Sequence, residues 1–199
     1  MVQTFAEYVT LFFFYAFAGW CMESIYLSLK HRRVEKRGFL LGPCCPIYGI
    51  ALVCITLFFQ NTSLPGWAVF LLITLFCSVL EYSASVFMEK IFHARWWDYN
   101  DMKFNLHGRI CLEITLPFGI LGTFALYVLN PAILTLQDKI PDVWNRCILI
   151  FLCLAFVTDV LLSLYALHKL PLPESEEDQT VEISKRVRAK LFARSNNDP

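Results

Sequence analysis

The sequence lacks the motifs of several common enzyme classes. It contains no GxxxxGKS or GxxxxGKT segment, and therefore it binds no nucleotide through a P-loop. It contains neither HExxH nor GxSxG, and its four His residues form no closely spaced pair. These absences argue against a P-loop ATPase, a zincin metalloprotease and a GxSxG hydrolase. We expect no cofactor and no bound metal ion in this chain.

Charged residues are also scarce, at 17% of the 199 residues. Lys plus Arg and Asp plus Glu number 17 each, so the chain has no net charge that would favour nucleic acid as a partner. Hydrophobic residues instead make up 57% of the chain, which is too apolar for an ordinary soluble domain. One domain embedded in the lipid bilayer, with no nucleic-acid partner, is the simplest interpretation.

Five apolar segments approach the length of about 20 residues that a helix needs to cross a bilayer. They predict an all-α, polytopic membrane protein with about five transmembrane helices in residues 1–170. The second segment is the shortest and begins with prolines, so we expect it to be tilted, kinked or partly re-entrant. The segments are residues 8–29, 43–59, 67–88, 110–129 and 147–167.

Basic residues mark the predicted cytoplasmic side, because short positively charged loops resist translocation. Of the 17 Lys and Arg residues, all but Lys139 and Arg146 follow the first, third or fifth segment. The N-terminus is therefore predicted outside and the C-terminus in the cytoplasm, with outer connections at residues 60–66 and 130–146. Residues 171–199 form the predicted cytoplasmic tail, which is either solvated and partly disordered or carries a short basic amphipathic helix.

Ionisable side chains gather between the third and fourth segments, in residues 80–113. A charge at the centre of a bilayer costs about 2.5–3.5 kcal/mol, so ionisable residues inside membrane segments are functional candidates by default. Glu81 and Glu89 lie eight residues apart and share one helix stripe that must face protein or water. Arg109 and Glu113, four residues apart, are expected to pair within the fourth helix, near the Glu89 end of the third.

Two interpretations of these groups stay open. In the first, the acids and Arg109 only hold helices together, each neutral or paired. In the second, they line a polar cavity that opens to the cytoplasm and binds a substrate head group or relays protons. The residues of that cavity would be Glu23, Glu81, Glu113 and Arg109. For Asp159, in the fifth segment, the structural role is favoured.

The loop of residues 93–105 is rich in aromatic side chains, including Trp97 and Tyr99 beside Asp98. Aromatic residues at a membrane boundary often form an interfacial belt. The density of the WWDYN segment nevertheless predicts an ordered loop that folds back against the cavity. In a transporter driven by a separate ATPase, such a cytoplasmic loop is also a candidate coupling surface.

Five sequence blocks between residues 12 and 131 resemble a known family in their order and spacing: WCME, RGFLLGPxxPIYG, MEK, WDYN and FNLHGRICL. They are similar to those of the CmpB-type family of bacterial membrane proteins, labelled type IV ABC-transporter permeases. Asn100 stands where the usual loop form has Ser, and the last apolar segment carries no such block. Positions that match the family pattern include Trp20, Glu23, Phe39, Tyr48, Glu81, Glu89, Trp97, Asp98, Tyr99, Asn105, Gly108 and Arg109.

The resemblance implies a transporter or permease component in a bacterial cell membrane that works with a separate ATPase. In this chain the polar cavity that opens to the cytoplasm is the hypothesis drawn above from the ionisable residues. A homo-oligomer is a second candidate assembly. Two alternatives stay open: a membrane-embedded enzyme that acts on a lipid or isoprenoid head group, and a non-catalytic scaffold subunit. Substrate-path candidates are Glu23, Glu81, Glu89, Asn105, His107, Arg109 and Glu113, and the cytoplasmic-loop residues are Trp97, Asp98 and Tyr99.

Overall fold

The protein is a bundle of helices with one short β-hairpin. The computed structural model describes residues 4–32, 34, 38, 40–92 and 95–168. The predicted tail, residues 171–199, and the family-pattern residue Phe39 lie outside the described residues. The elements are α1 (Phe5–His31), α2 (Pro46–Phe59), α3 (Gly66–Phe92), β1 (Asn105–Leu106), β2 (Ile110–Cys111), α4 (Leu112–Phe124), a π-helical segment (Ala125–Leu129), α5 (Asn130–Gln137) and α6 (Asp142–His168).

Four helical spans in the described part of the chain are long and apolar enough to cross a membrane. This finding confirms the prediction of an all-α, polytopic membrane protein. The shorter helix α2 has 14 residues, which corresponds to about 21 Å against a hydrocarbon core of about 30 Å. The four long spans are Phe5–Leu29, Gly66–Phe92, Leu112–Gln137 and Asp142–Ala166.

The chain re-enters the bundle before α2 begins. The backbone N–H of Cys45 donates to the carbonyl oxygen of Ala16 at 2.9 Å, and Ala16 lies near the middle of α1. Helix α2 therefore starts near the level of the middle of α1. We call residues 40–45, which turn back into the bundle before α2, the re-entrant segment. The first residue of α2 is Pro46 and not Pro43 as predicted, and a proline is well placed there because its missing N–H leaves no helical bond unmade in the first turn.

Asp159 of α6 holds this re-entrant segment. Its carboxylate accepts hydrogen bonds from the backbone N–H groups of Leu41, at 2.8 Å, and Gly42, at 2.9 Å. The hydroxyl of Ser163, one turn further along α6, donates to the same carboxylate at 3.2 Å. Irregular backbone at membrane depth needs partners for its polar groups, since lipid supplies none. The contacts agree with the structural role that was favoured for Asp159.

The fourth apolar segment does not end near Leu129 as predicted. The helix continues through the π-helical segment and Pro131 to Gln137, so the predicted outer connection 130–146 shrinks to residues 138–141. Pro131 stands in the first turn of α5, and the wider π-helical turn before it accommodates the proline ring. Buried Asn130 fixes this junction, because Tyr15 Oη donates to its Oδ1 at 2.6 Å.

The helices pack around two small apolar clusters. One joins α2, α3 and the π-helical segment through Ile55, Val69, Ile73, Cys77 and Leu126. The other joins α1, the π-helical segment and α5 through Leu11, Tyr15, Ala125 and Ile133. Helix α6 instead exposes most of its apolar side chains, which in a membrane would face lipid or another helix.

Candidate functional site

In the described part of the chain between α3 and α4, residues 95–111, the backbone forms a hydrogen-bonded hairpin, in agreement with the predicted ordered loop. Strands β1 and β2 pair in antiparallel register, with Asn105 opposite Cys111. The Asn105 side chain joins three parts of the loop. Its Nδ2 donates to the carbonyls of Met102, at 2.8 Å, and Asn100, at 3.3 Å, and its Oδ1 accepts from the N–H of Gly108 at 3.0 Å. The N–H of Tyr99 donates to the carbonyl of Gly108 at 2.8 Å. We call residues 95–111 the hairpin loop.

Gly108 is required at the turn of the hairpin loop. Its φ is +67°, a left-handed backbone conformation that residues other than glycine rarely adopt. A Cβ atom there would lie 2.5 Å from the side-chain oxygens of both Asp98 and Asn100. The family-pattern residues Asp98 and Gly108 are therefore explained by the shape of the loop. Asp98 also receives the N–H of Asn100 at 2.9 Å, which closes a local turn.

Arg109 attaches the hairpin loop to α3. Its Nη1 donates to Ser85 Oγ at 3.0 Å, and its Nη2 forms an ion pair with Glu89. The predicted approach of Glu89 and Arg109 is thus confirmed. The predicted pairing of Arg109 with Glu113 inside a helix is wrong, because α4 begins only at Leu112 and Arg109 precedes it. Glu113 lies in the first turn of α4 with an exposed side chain.

His107 lies on the outer side of the hairpin loop. Its Nδ1 is 3.0 Å from the hydroxyl oxygen of Tyr82, and both groups are exposed to solvent. Nearby, Cys111 is 1% exposed, and burial raises the pKa of its thiol. The thiol donates to Met102 Sδ at 3.5 Å. Among the described residues, no group of three or more His, Cys, Asp and Glu side chains is placed to hold a metal ion.

A cavity of about 240 Å³ lies between α1, α2, α3 and α4. Trp97 and Tyr99 of the hairpin loop form part of its wall, so the loop folds back against the cavity, as predicted. The indole Nε1 of Trp97 donates to the carbonyl of Arg109 at 2.9 Å, which holds the ring in place. At the far end of the cavity lie Ala125 and Leu129 of the π-helical segment.

Two carboxylates line this cavity, each held by a tyrosine hydroxyl. Tyr48 Oη donates to Glu23 Oε1 at 2.5 Å, and Tyr99 Oη donates to Glu81 Oε1 at 3.0 Å. Glu81 is only 7% exposed. Its second oxygen, Oε2, is buried and has no hydrogen-bond partner among the described residues. A buried carboxylate oxygen without a partner is costly, so this atom marks a place where a ligand or a proton would be stabilising.

The structure thus brings together only part of the predicted set. Glu23 and Glu81 line the cavity as predicted, whereas Glu113 and Arg109 do not. The reason is the start of α4, which places Arg109 in the hairpin loop and turns Glu113 to the surface. The remaining candidates, Glu89, Asp98, Asn105 and His107, belong to the hairpin loop and its attachment to α3.

Tyr99 was among the predicted loop residues, but sequence reasoning did not predict a role for Tyr48 or Tyr15 in the site. Tyr48 was noted only as part of the family pattern, and its packing against Gly19 was not foreseen. Tyr15 also lines the cavity, but the residues near it in the sequence are apolar and none is ionisable. The only available signal was that a tyrosine buried among apolar residues usually finds a hydrogen-bond partner.

Comparison with known families identifies the family of this chain. The family model described as "Putative ABC-transporter type IV" matches residues 10–164, which include most of α1, all of α2 to α5 and most of α6. The last apolar segment therefore belongs to the family pattern, although no block in it was recognised. No curated protein matches the chain. No solved structure matches it either. Since the family model covers well over half of the chain, this protein belongs to the CmpB-type family of ABC-transporter-associated membrane proteins.

Proposed function

We propose that this chain is the permease component of a transporter in a bacterial cell membrane. In this proposal the cavity between α1, α2, α3 and α4 is part of the substrate path and opens to the cytoplasm. The observation that carries the proposal is the buried Oε2 atom of Glu81, which lines the cavity without a hydrogen-bond partner among the described residues. An ionisable group kept at that cost within a membrane helix is a functional candidate.

The hairpin loop would control access to the cavity from the cytoplasm. Trp97 and Tyr99 stand at the cavity wall, and the Tyr99 hydroxyl holds Glu81. A movement of the hairpin loop would therefore break a contact with the carboxylate and open the wall at the same time. Such coupled changes are the usual means by which a loop gates a site.

A separate ATPase would supply the energy, because this chain has no P-loop of its own. The hairpin loop is the surface that such a partner would contact. Phe104, at the start of the hairpin, is 80% exposed and has a φ of +53°. Strained backbone conformations cluster at functional sites, so Phe104 is the residue of the hairpin loop that we propose as the contact.

Purification from native membranes in mild detergent tests this proposal. We expect an ATPase with a P-loop to co-purify in stoichiometric amount with the wild-type chain. Recovery of the chain alone, or as a homo-oligomer, would contradict a separate ATPase.

A matched pair of variants tests the contact surface. Phe104→Ala removes the exposed ring of the hairpin loop, and we expect it to reduce ATPase recovery at least about tenfold, as loss of a central aromatic contact does. Phe5→Ala makes the same change at the opposite end of the bundle, where the ring is 84% exposed, and should leave recovery unchanged. Equal recovery with both variants would place the contact elsewhere.

A further inference from the structure

The walls of the cavity combine aromatic rings with negative charge. Tyr15, Tyr48, Trp97, Tyr99 and Phe118 all contribute to the lining. None of the described residues that line the cavity is Lys, Arg or His, whereas two are glutamates. Aromatic faces and carboxylates both attract positive charge, so the electrostatic character of the cavity is uniform.

An anionic ligand is disfavoured in this cavity. It would approach the two carboxylates with no cation in the lining to offset them. A neutral apolar ligand would fit the walls but would leave the negative charge of the two carboxylates without a counter-charge. A ligand with positive charge is attracted by both the rings and the carboxylates.

The apolar lining also selects among cations. A metal ion needs several oxygen, nitrogen or sulfur ligands, and the described residues provide no such cluster. A primary ammonium group is strongly hydrated and has three N–H groups to satisfy, whereas one oxygen of each carboxylate in the lining already accepts from a tyrosine hydroxyl and the other walls are largely apolar. A quaternary ammonium group carries its charge under methyl groups, donates no hydrogen bond and is the cation that aromatic cages bind best.

The size of the cavity points to a small ligand. Its volume of about 240 Å³ lies below the roughly 300–1,000 Å³ that is common for pockets of drug-sized ligands. A trimethylammonium head group with a short chain is of the appropriate class. Larger lipophilic cations would require the hairpin loop to move.

We infer that the cavity is a binding site for a small quaternary ammonium group, with Glu81 as its principal counter-ion. Glu23 supplies a second negative charge, and Trp97 and the tyrosines supply aromatic faces. Bound between the carboxylates, the cation would also relieve their mutual repulsion. That this group is the substrate class of the permease rests on the proposed function. The binding itself is argued from the cavity alone.

Equilibrium binding of radiolabelled choline to the purified full-length chain tests the inference. Choline is the probe, and 3,3-dimethyl-1-butanol, its uncharged isostere of nearly equal shape, is the competitor that isolates the charge. We expect choline to bind and unlabelled choline to displace it, while the isostere competes at least about tenfold less well. Equal competition by the uncharged isostere would overturn the inference.

Matched glutamate variants locate the site. Glu81→Gln removes the charge but keeps the shape, and we expect it to weaken choline binding at least about tenfold, with Glu23→Gln weakening it less. Glu113→Gln makes the same chemical change at an exposed position outside the cavity and should bind like wild type. Glu81→Asp, which keeps the charge, should retain part of the binding. A loss with Glu113→Gln equal to that with Glu81→Gln would overturn the placement.

Two further arms separate the sources of the ligand and the two proposals. Binding of free choline indicates a water-soluble cation, whereas binding of dodecyltrimethylammonium alone indicates a cationic head group reached from the bilayer. Absence of binding for both probes, with a monodisperse protein in gel filtration, would overturn the inference. If neither probe binds but an ATPase co-purifies, the binding inference fails and the permease proposal stands. If choline binds but no ATPase co-purifies, the binding inference stands and the proposal of a separate ATPase fails.

Discussion

Asp159 provides a direct test of how the re-entrant segment is held inside the bundle. Replacement by Ala removes the carboxylate that accepts from the N–H groups of Leu41 and Gly42. Helix α6 itself should persist, because alanine is the best helix former and the Asp159 side chain makes no bond to the α6 backbone among those described. The expected effect is therefore local, on the segment before α2.

The magnitude follows from the two hydrogen bonds. A hydrogen bond to a charged group contributes about 1.5–3 kcal/mol, so losing two lowers the free energy needed to open the segment by roughly 3–6 kcal/mol. At membrane depth no water replaces the lost acceptor. Asn at position 159 keeps one neutral acceptor oxygen, so Asp159→Asn should lie between wild type and Asp159→Ala.

Hydrogen exchange of the protein in lipid nanodiscs measures this opening. Since about 1.4 kcal/mol corresponds to a factor of ten, exchange in residues 40–45 should accelerate at least about 100-fold in Asp159→Ala. Thr158→Ala is the control, because the Thr158 hydroxyl bonds only to the carbonyl of Leu154 in its own helix. If the segment exchanged equally slowly in wild type, Asp159→Ala and Thr158→Ala, the anchoring role of Asp159 would be refuted.

Two further substitutions test the hairpin loop and the helix junction by thermal unfolding in detergent. Gly108→Ala should destabilise the protein by about 1–3 kcal/mol, because of the positive φ and the crowding at the turn. Gly66→Ala, with no atom within 4 Å of the new methyl group, should change the stability little. Equal unfolding midpoints for the two variants would contradict the strain argument. Asn130→Ala should lower the free energy of unfolding by about 1–3 kcal/mol, because it leaves the buried hydroxyl of Tyr15 without its acceptor. Thr135→Ala, at an exposed position on the same helix, should change it by no more than about 0.5 kcal/mol. Equal stability of the two variants would mean that the buried hydrogen bond adds no stability.

The membrane class of this protein was readable from its sequence. Hydropathy is a local property of the chain, and about 20 apolar residues in a row have few other stable environments. For the same reason the sequence identified Glu23 and Glu81 as candidates, since a charge in an apolar run is conspicuous wherever the helix packs. It also predicted the ordered loop, because the WWDYN segment combines ring packing with turn-forming side chains.

The exact bounds of the elements depended on contacts that sequence does not show. Arg109 was assigned to a helix by its spacing from Glu113, but hydrogen bonds within the hairpin loop delay the start of α4 to Leu112. The fourth segment was predicted to end at residue 129, but Asn130 bonds to side chains of two other helices and the helix continues. In both places tertiary hydrogen bonds outweighed the local preference.

What the sequence determined by itself is therefore the membrane environment, the helical class and the positions of costly ionisable groups, because each follows from the composition of a short stretch. The tertiary structure alone decided which of those groups share a cavity. Glu23 and Glu81 meet there because α1, α2 and α3 pack together, and their tyrosine donors come from α2 and the hairpin loop. Glu113 is left outside by the same packing, since the first turn of α4 presents it to the surface.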